Sequence, residues 1–170
     1  MYKVLSVTFV ATLITTIQLN VSVMQESSCI FCSIISGKLP GYKVYEDGKV
    51  VAILDKFPIS PGHTLVMPKE HFENYLESPD DLLAYTAVTA KRIAKAIKEE
   101  LRADGVRILT NVGASAGQVI FHLHIHIIPT WSEGFPQEFS DFVPRKEQPK
   151  AYYESLSKRL SEKIKSMGII

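Results

Sequence analysis

The chain has 170 residues, 46% of them hydrophobic, with 19 basic and 18 acidic side chains for a net charge of +1. That length fits one domain with a buried core. The near-neutral balance argues against a protein that coats nucleic acid or binds membranes through a polybasic surface, while leaving room for one or two cations at a small phosphate ligand. Val4 to Val23 is rich in apolar and β-branched residues, relieved by threonines, Gln18 and Asn20. Its length suits a short membrane span, yet only Lys3 precedes it as a positive charge and no small-residue cleavage site follows. Residues 1–24 are thus read as an apolar leader outside the fold. A secretory signal, a membrane anchor and an extension upstream of a start at Met24 compete, and the extension is preferred. A cytoplasmic protein is expected, or a membrane-anchored one if the leader is retained.

The two cysteines, Cys29 and Cys32, are spaced C-x-x-C. A disulfide between them would close too small a loop to constrain much of the chain. A redox pair or half of a metal site remains, and both suit a reducing compartment. Ile30, Phe31, Ile34 and Ile35 recur at helical spacing, and Gly37 with Pro40 closes that short helix. Lys43–Glu46 and Val50–Leu54 read as strands around an Asp47-Gly48 turn. A loop with two prolines leads to a strand at His63–Met67, stopped by Pro68. Ser78-Pro79-Asp80-Asp81 signals a helix start, with Ser78 as N-cap, Pro79 as the first helical residue and two acids facing the helix dipole. That helix is expected to run to about Glu100 and to bury Leu82, Leu83, Val88, Ile93 and Ile97 in part. Val106–Leu109 is the next strand, followed by a small-residue loop from Asn111 to Gln118. Phe121–Ile128 is read as a further strand. From Tyr152 a last helix sets Leu156, Leu160 and Ile164 four apart as a core-facing stripe. Hairpin-like strands and two principal helices predict an α+β domain on an antiparallel sheet.

Alternate residues of a strand share a face, so Phe121–Ile128 would point His122, His124 and His126 one way. Phe121, Leu123, Ile125 and Ile127 would then enter the core. Three of five histidines in such a row point to chemistry rather than packing. Successive same-face positions lie about 6.6 Å apart and the outer two about 13 Å apart. One metal ion could reach two of them easily and all three only with strain, so a division of labour is favoured. Gly113 and Gly117 would let the preceding loop approach a ligand and offer N–H groups to phosphate oxygens. That loop lacks a Walker lysine and leads into a strand, which argues against P-loop ATP binding.

His122-Leu123-His124-Ile125-His126-Ile127-Ile128 resembles the His-φ-His-φ-His-φ-φ signature of the histidine triad (HIT) proteins. The likeness extends over Cys29 to about Pro129. It takes in Cys29-Ile30-Phe31-Cys32, Pro61-Gly62-His63-Thr64-Leu65-Val66 and Gly117-Gln118, and is closest to the Hint-like branch. It implies a catalytic domain over residues 25–135, a C-terminal extension and helix over 136–170, and a homodimer with sheets joined across its interface. The implied activity is nucleotide hydrolysis or transfer at the α-phosphate of dinucleoside polyphosphates or nucleoside phosphoramidates, with a purine nucleotide as substrate and no nucleic-acid partner. Carried over by motif position, His124 would be the nucleophile and His126 would face the phosphoryl oxygens. Backbone N–H groups near Gln118 and Val119 would assist, Asn111 would lie near phosphate and ribose, and Asp55 would accept from ribose hydroxyls. Ile30, Phe31, Ile34 and Ile53 would wall the base pocket. The resemblance also implies a structural zinc held by Cys29, Cys32, His71 and His122, with no open position for an activating water. Two departures stand out: Val119 replaces a hydroxyl residue of some relatives, and Thr130 replaces a basic one. His63 is open between a hydrogen-bonded core histidine and a role near His124. A zinc metallohydrolase and a nucleotide-binding module with little turnover are the competing functions.

Overall fold

The structure, a computed structural model, describes residues 29–169. The apolar leader and Met24 lie outside the described residues. Among the described residues, no helix is long and apolar enough to cross a membrane. The elements run α1 (Ile30–Ile35), β1 (Lys43–Glu46), β2 (Val50–Leu54), β3 (Thr64–Pro68), α2 (Asp80–Glu100), β4 (Gly105–Leu109), β5 (Ile125–Thr130) and α3 (Lys150–Ser166), with short 3₁₀ turns at Ala114–Ala116 and Gln137–Phe139. The five strands form one antiparallel sheet in the order β1-β2-β3-β5-β4, the expected α+β architecture.

Alternation along the strands divides the core in two. Val50, Ala52, Leu54, Val66, Ile125 and Ile127 face α2 and α3, where they meet Ala90, Ile93, Ile97, Leu156, Leu160 and Ile164. Val51, Ile53, Leu65 and Met67 face the other way and are covered by Cys29 and Phe31. The sheet is thus wrapped on both faces at β2 and β3, whose residues are all buried. His126 alternates with Ile125 and Ile127 and pairs with Leu65 and Leu109 on its neighbours, so it joins the face covered by α1. Asp47 builds the first turn, its carboxylate accepting from the Lys49 and Val50 amides at 2.7 Å each.

Four local expectations are corrected. The histidine strand begins at Ile125 rather than Phe121, so of the triad only His126 lies on a strand. The β3 ladder ends at Val66↔Ile125 and the β4 ladder at Leu109↔His126. Upstream of these points the backbone finds other partners: the Leu123 amide donates to Phe72 O, the His122 amide to Ile120 O, and His124 O accepts from Thr110 Oγ1. Phe121 accordingly turns outward and is exposed, not in the core. Ser78 is not the cap of α2; Pro79 holds that position and the Ser78 hydroxyl donates to Tyr75 O. Val88 is exposed, and the buried stripe runs instead through Thr86, Thr89, Ala90, Ile93, Ala94 and Ile97. Finally, β3 starts one residue later and includes Pro68, which pairs with Val50.

Gly62 takes φ +77°, and a Cβ there would collide with Leu101 Cδ1 at the end of α2. Gly62→Ala therefore combines a left-handed backbone with overpacking, and is expected to cost about 2–4 kcal/mol. Thermal unfolding followed by circular dichroism measures it; an unchanged Tm would contradict the account.

Candidate active site

Where the histidines carry their protons, and two thiols beside them, determine what this part of the protein can do. The His124 Nδ1–H donates to the carbonyl of His122 at 2.6 Å, which fixes one tautomer and leaves Nε2 as a lone-pair acceptor. The ring is held edge-on against Phe31, with centroids 5.2 Å apart, and 4.8 Å from the ring of His126. Burial lowers the His124 pKa, partly opposed by the bond to His122 O and by the charge of Asp55. The neutral imidazole is thus the favoured form, and its unprotonated nitrogen can act as a nucleophile.

His126 receives its orientation from His63. The Ile59 amide donates to His63 Nδ1 at 3.2 Å, so His63 carries its proton on Nε2. That Nε2–H donates to His126 Nδ1 at 3.0 Å, so the His126 proton lies on Nε2. The His126 Nε2 is buried and has no hydrogen-bond partner among the described residues. The sequence left His63 open; its hydrogen bond makes it the group that turns His126 into a donor. Asp55 Oδ2 lies 3.3 Å from His63 Nδ1, while its Oδ1 accepts from the Phe57 amide. Burial raises the Asp55 carboxyl and lowers His63 to about 4, so this contact has little ion-pair character. Asp55, His63 and His126 are close enough to suggest a metal site, but these hydrogen bonds account for their approach.

Burial also holds His126 at about 4. In the unfolded chain both imidazoles would protonate near pH 6.5. Between about pH 6.5 and pH 4 the unfolded state therefore binds more protons than the folded state, and stability falls as the pH drops through that window. The contribution is up to about 3 kcal/mol for His63. We expect Tm to be flat above pH 7 and to fall steadily from pH 6.5 to 4.5, and scanning calorimetry in matched buffers would detect its failure to do so.

The loop before the triad is pinned by Gln118. Its Oε1 accepts from the Gly113 amide at 2.8 Å, and its Nε2 donates to Glu73 O and Ile120 O. The side chain is buried and committed to these three bonds, and the backbone N–H of Gln118 donates to Gly113 O at 3.1 Å, so neither donor of this residue is open to a ligand as the sequence had suggested. Gly113 and Gly117 both take positive φ, and Asn111 Nδ2 donates to Gly117 O at 3.3 Å. Val119 is 85% exposed. Of the apolar residues named for a base pocket, Phe31 and Ile53 are buried, Ile34 is half-buried and Ile30 is 47% exposed. Thr110, whose hydroxyl holds His124 O, carried no signal in the sequence: a side chain bonding a carbonyl fourteen residues away leaves no periodic trace.

Cys29, Cys32, His71 and His122 converge, with their ligand atoms all within 4.8 Å of one another. His122 Nδ1 lies 3.6 Å from Cys29 Sγ, 3.5 Å from Cys32 Sγ and 3.2 Å from His71 Nδ1, and Cys32 Sγ lies 3.3 Å from His71 Nδ1. Around a tetrahedral zinc, bond lengths alone give edges of about 3.3 Å between nitrogens and about 3.6 Å between nitrogen and sulfur. The second nitrogen of His122 meets Pro68 O at 2.9 Å, the outer bond that orients metal-ligating histidines. His71 Nε2 has no such partner among the described residues. The cysteines are not joined by a disulfide. Two soft thiols and two imidazoles fit zinc and leave no protein ligand position for a substrate.

A HIT domain model matches residues 36–133, more than half of the chain. The crystal structure of a hypothetical histidine triad nucleotide-binding protein from Sulfolobus tokodaii strain7 superposes with a TM-score of 0.80 at 59% identity, covering 82% of this chain and 93% of that one. A Zn-bound histidine triad family protein from Mycobacterium smegmatis does so with a TM-score of 0.71 at 34% identity, covering 84% and 97%. Over 104 residues the chain is 44% identical to the adenylylsulfatase HINT3 of Arabidopsis thaliana, spanning 61% of this chain and 53% of that protein. The signature histidines, the antiparallel sheet that carries them and these likenesses agree: the chain belongs to the histidine triad family.

Proposed function

We propose that the protein is a nucleotide hydrolase or nucleotidyl transferase acting at the α-phosphate of dinucleoside polyphosphates or nucleoside phosphoramidates through a covalent nucleotidyl-histidine. The observation that carries this reading is the His124 tautomer, with Nδ1–H tied to His122 O and Nε2 unbonded. In the first step Nε2 forms a bond to phosphorus and the bond from phosphorus to the leaving group breaks. The leaving group departs with the electron pair and takes up a proton from solvent. In the second step water attacks the same phosphorus and gives up a proton to solvent, the P–N bond breaks with its electron pair returning to His124 Nε2, and the nucleoside monophosphate is released. The His126 Nε2–H, held as a donor by His63, stabilises the phosphoryl oxygens as charge develops there. The backbone N–H of Val119 adds to that cradle beside Gln118, whose own N–H is taken by Gly113 O, while Asn111 lies at its rim and Asp55 accepts from the ribose hydroxyls. Phe31, Ile34 and Ile53 wall the base, with Ile30 at the exposed edge.

Zinc at Cys29, Cys32, His71 and His122 would tie α1 to the sheet and supply stability rather than reaction chemistry, a reading supported by the donor set and by the zinc-bound relative. A metallohydrolase using the triad is disfavoured, because His122 turns toward the cysteines while His124 and His126 are each engaged by a different partner. Homodimer formation fits β4, an edge strand with Arg107 and Ile108 exposed. A cytoplasmic site of action fits the thiol state of the cysteines.

The test is mass spectrometry of protein quenched during turnover of adenosine phosphoramidate. An adenylyl adduct on His124 is expected; brisk turnover with no adduct under rapid quenching would sink the covalent route.

A further inference from the structure

The loop Lys56–Gly62 joins Asp55 to His63, and much of what holds it comes from beyond the family domain, which ends at residue 133. Tyr153 Oη donates to Lys56 O at 2.8 Å and accepts the Gln148 amide at 3.0 Å. The Gly62 amide donates to Tyr152 Oη at 3.1 Å. The Arg145 amide donates to Pro58 O at 2.8 Å, and Glu147 pairs with Lys56 at 3.3 Å. These contacts reach the start, middle and end of a seven-residue loop. The attaching segment is itself preorganised. The Gln148 side chain is buried and donates to Val143 O and Lys146 O, which curls the turn around it. Arg145 sits there at φ +60°, a backbone that L residues rarely adopt. Tyr153 is buried and stacks on Tyr42 with centroids 4.7 Å apart.

The held loop buries Pro58, Ser60, Pro61 and Gly62 and carries two atoms that matter to the site. Asp55 Oδ1 accepts from the Phe57 amide, and the Ile59 amide sets the His63 tautomer that makes His126 a donor. Pro58, gripped by Arg145, lies between those two amides.

We propose that the segment Val143–Tyr153 is a clamp on the Asp55–His63 loop, with Tyr152 and Tyr153 as positioning residues that set how tightly the site holds its nucleotide. The clamp acts through backbone carbonyls and amides, so neither tyrosine touches substrate. Its effect on affinity rests on the nucleotide reading above; its effect on the loop does not.

The variants are Tyr153→Phe and the double variant Tyr152→Phe with Tyr153→Phe, made in the full chain. Both keep the rings and remove only the hydroxyl bonds. Amide hydrogen exchange at Phe57 and Ile59 is expected to quicken about tenfold or more in the double variant, while amides of β2 and β3 keep their rates. KM for adenosine phosphoramidate and Kd for AMP are expected to rise about five- to tenfold, with kcat within about threefold of wild type and the His124 adduct still formed. Arg145→Gly removes the guanidinium but suits the positive φ, and KM is expected to hold within twofold. Unchanged exchange at Phe57 and Ile59 overturns the clamp whatever the substrate is. A KM rise in Arg145→Gly matching that of the tyrosine variants overturns it too, because the segment would then act through a cation. A wild-type protein that binds no AMP in the same titration overturns the nucleotide reading instead, and the exchange result still decides the clamp.

Discussion

His124→Ala is expected to lower kcat/KM for adenosine phosphoramidate by roughly 10⁴-fold or more, the scale seen when a covalent nucleophile is removed. The chemical step has no substitute within reach: the His122 imidazole is committed to the thiol cluster and to Pro68 O, and the His126 acceptor nitrogen is occupied by His63. The alanine protein should nevertheless fold. His124 precedes the β5 ladder, and its carbonyl, held by Thr110 Oγ1, is untouched by the change. The main structural loss is the ring's contact with Phe31 and its bond to His122 O, costing about 2 kcal/mol. A sharper version is His124→Gly with added imidazole. A small imidazole in the vacated space can attack phosphorus, so partial rescue that saturates with imidazole is expected. His126→Gln should cost far less, about 10- to 100-fold, because it weakens a hydrogen bond to the transition state without removing the attacking atom. Steady-state assays with each purified protein decide the matter. His124→Ala activity within tenfold of wild type would eliminate the mechanism.

The second large effect is on stability. Removing zinc with a chelator is expected to lower stability by about 4 kcal/mol where the free metal had exceeded Kd a thousandfold, a fall in Tm of about 8–16 °C. The reason is positional. Cys29 and Phe31 cover the sheet face formed by Val51, Ile53, Leu65 and Met67, yet α1 is only six residues long and too short to be stable alone. Metal bonds to His71 and His122 would anchor that cover from two further places in the chain. Cys32→Ser should reproduce most of the loss. Elemental analysis should find about one zinc per chain in the wild-type protein, and the zinc-free protein, assayed well below its Tm, should keep its turnover per folded molecule. Metal-free protein with an unchanged Tm on zinc addition would dismiss the site.

Much of this was written in local pattern. The strands β1 to β4 follow from short apolar runs bounded by turn residues, although β2 and β3 are buried on both faces and show no alternation, while the span of α2 and the stripe of Leu156, Leu160 and Ile164 follow from helix signals and helical spacing. The triad shows where that logic stops. His-φ-His-φ-His alternates through five residues, but a ladder also needs a partner strand in register, and the ladders of β5 stop at Val66 and Leu109. Phe121 was therefore misplaced, and His122 and His124 are aimed by individual hydrogen bonds rather than by the pleat. The Cys29–His122 convergence spans distant segments, and His71 sits in an irregular stretch with no periodicity; only the family likeness brought it into view. Gln118 was expected to offer its backbone N–H near a ligand, but that N–H is taken by Gly113 O and its side chain by Gly113, Glu73 and Ile120. The tyrosines of the C-terminal segment bond backbone amides and a carbonyl, groups that any sequence supplies, so nothing in their neighbourhood announced them.

The single bond from the Ile59 amide to His63 Nδ1 has a reach beyond geometry. It fixes a parity: two imidazoles in series turn one amide hydrogen into one hydrogen presented at His126 Nε2, and the sequence of protons cannot be reversed without breaking that bond. Whatever sits against His126 must offer a lone pair. A ligand N–H forced there would face another N–H, leaving two donors unsatisfied at about 1–3 kcal/mol each. Under the proposed reading, a phosphoramidate, whose phosphorus bears both oxygens and an amine, would have its substituents sorted by that hydrogen before any bond is broken: an oxygen would turn to His126 and the nitrogen away from it.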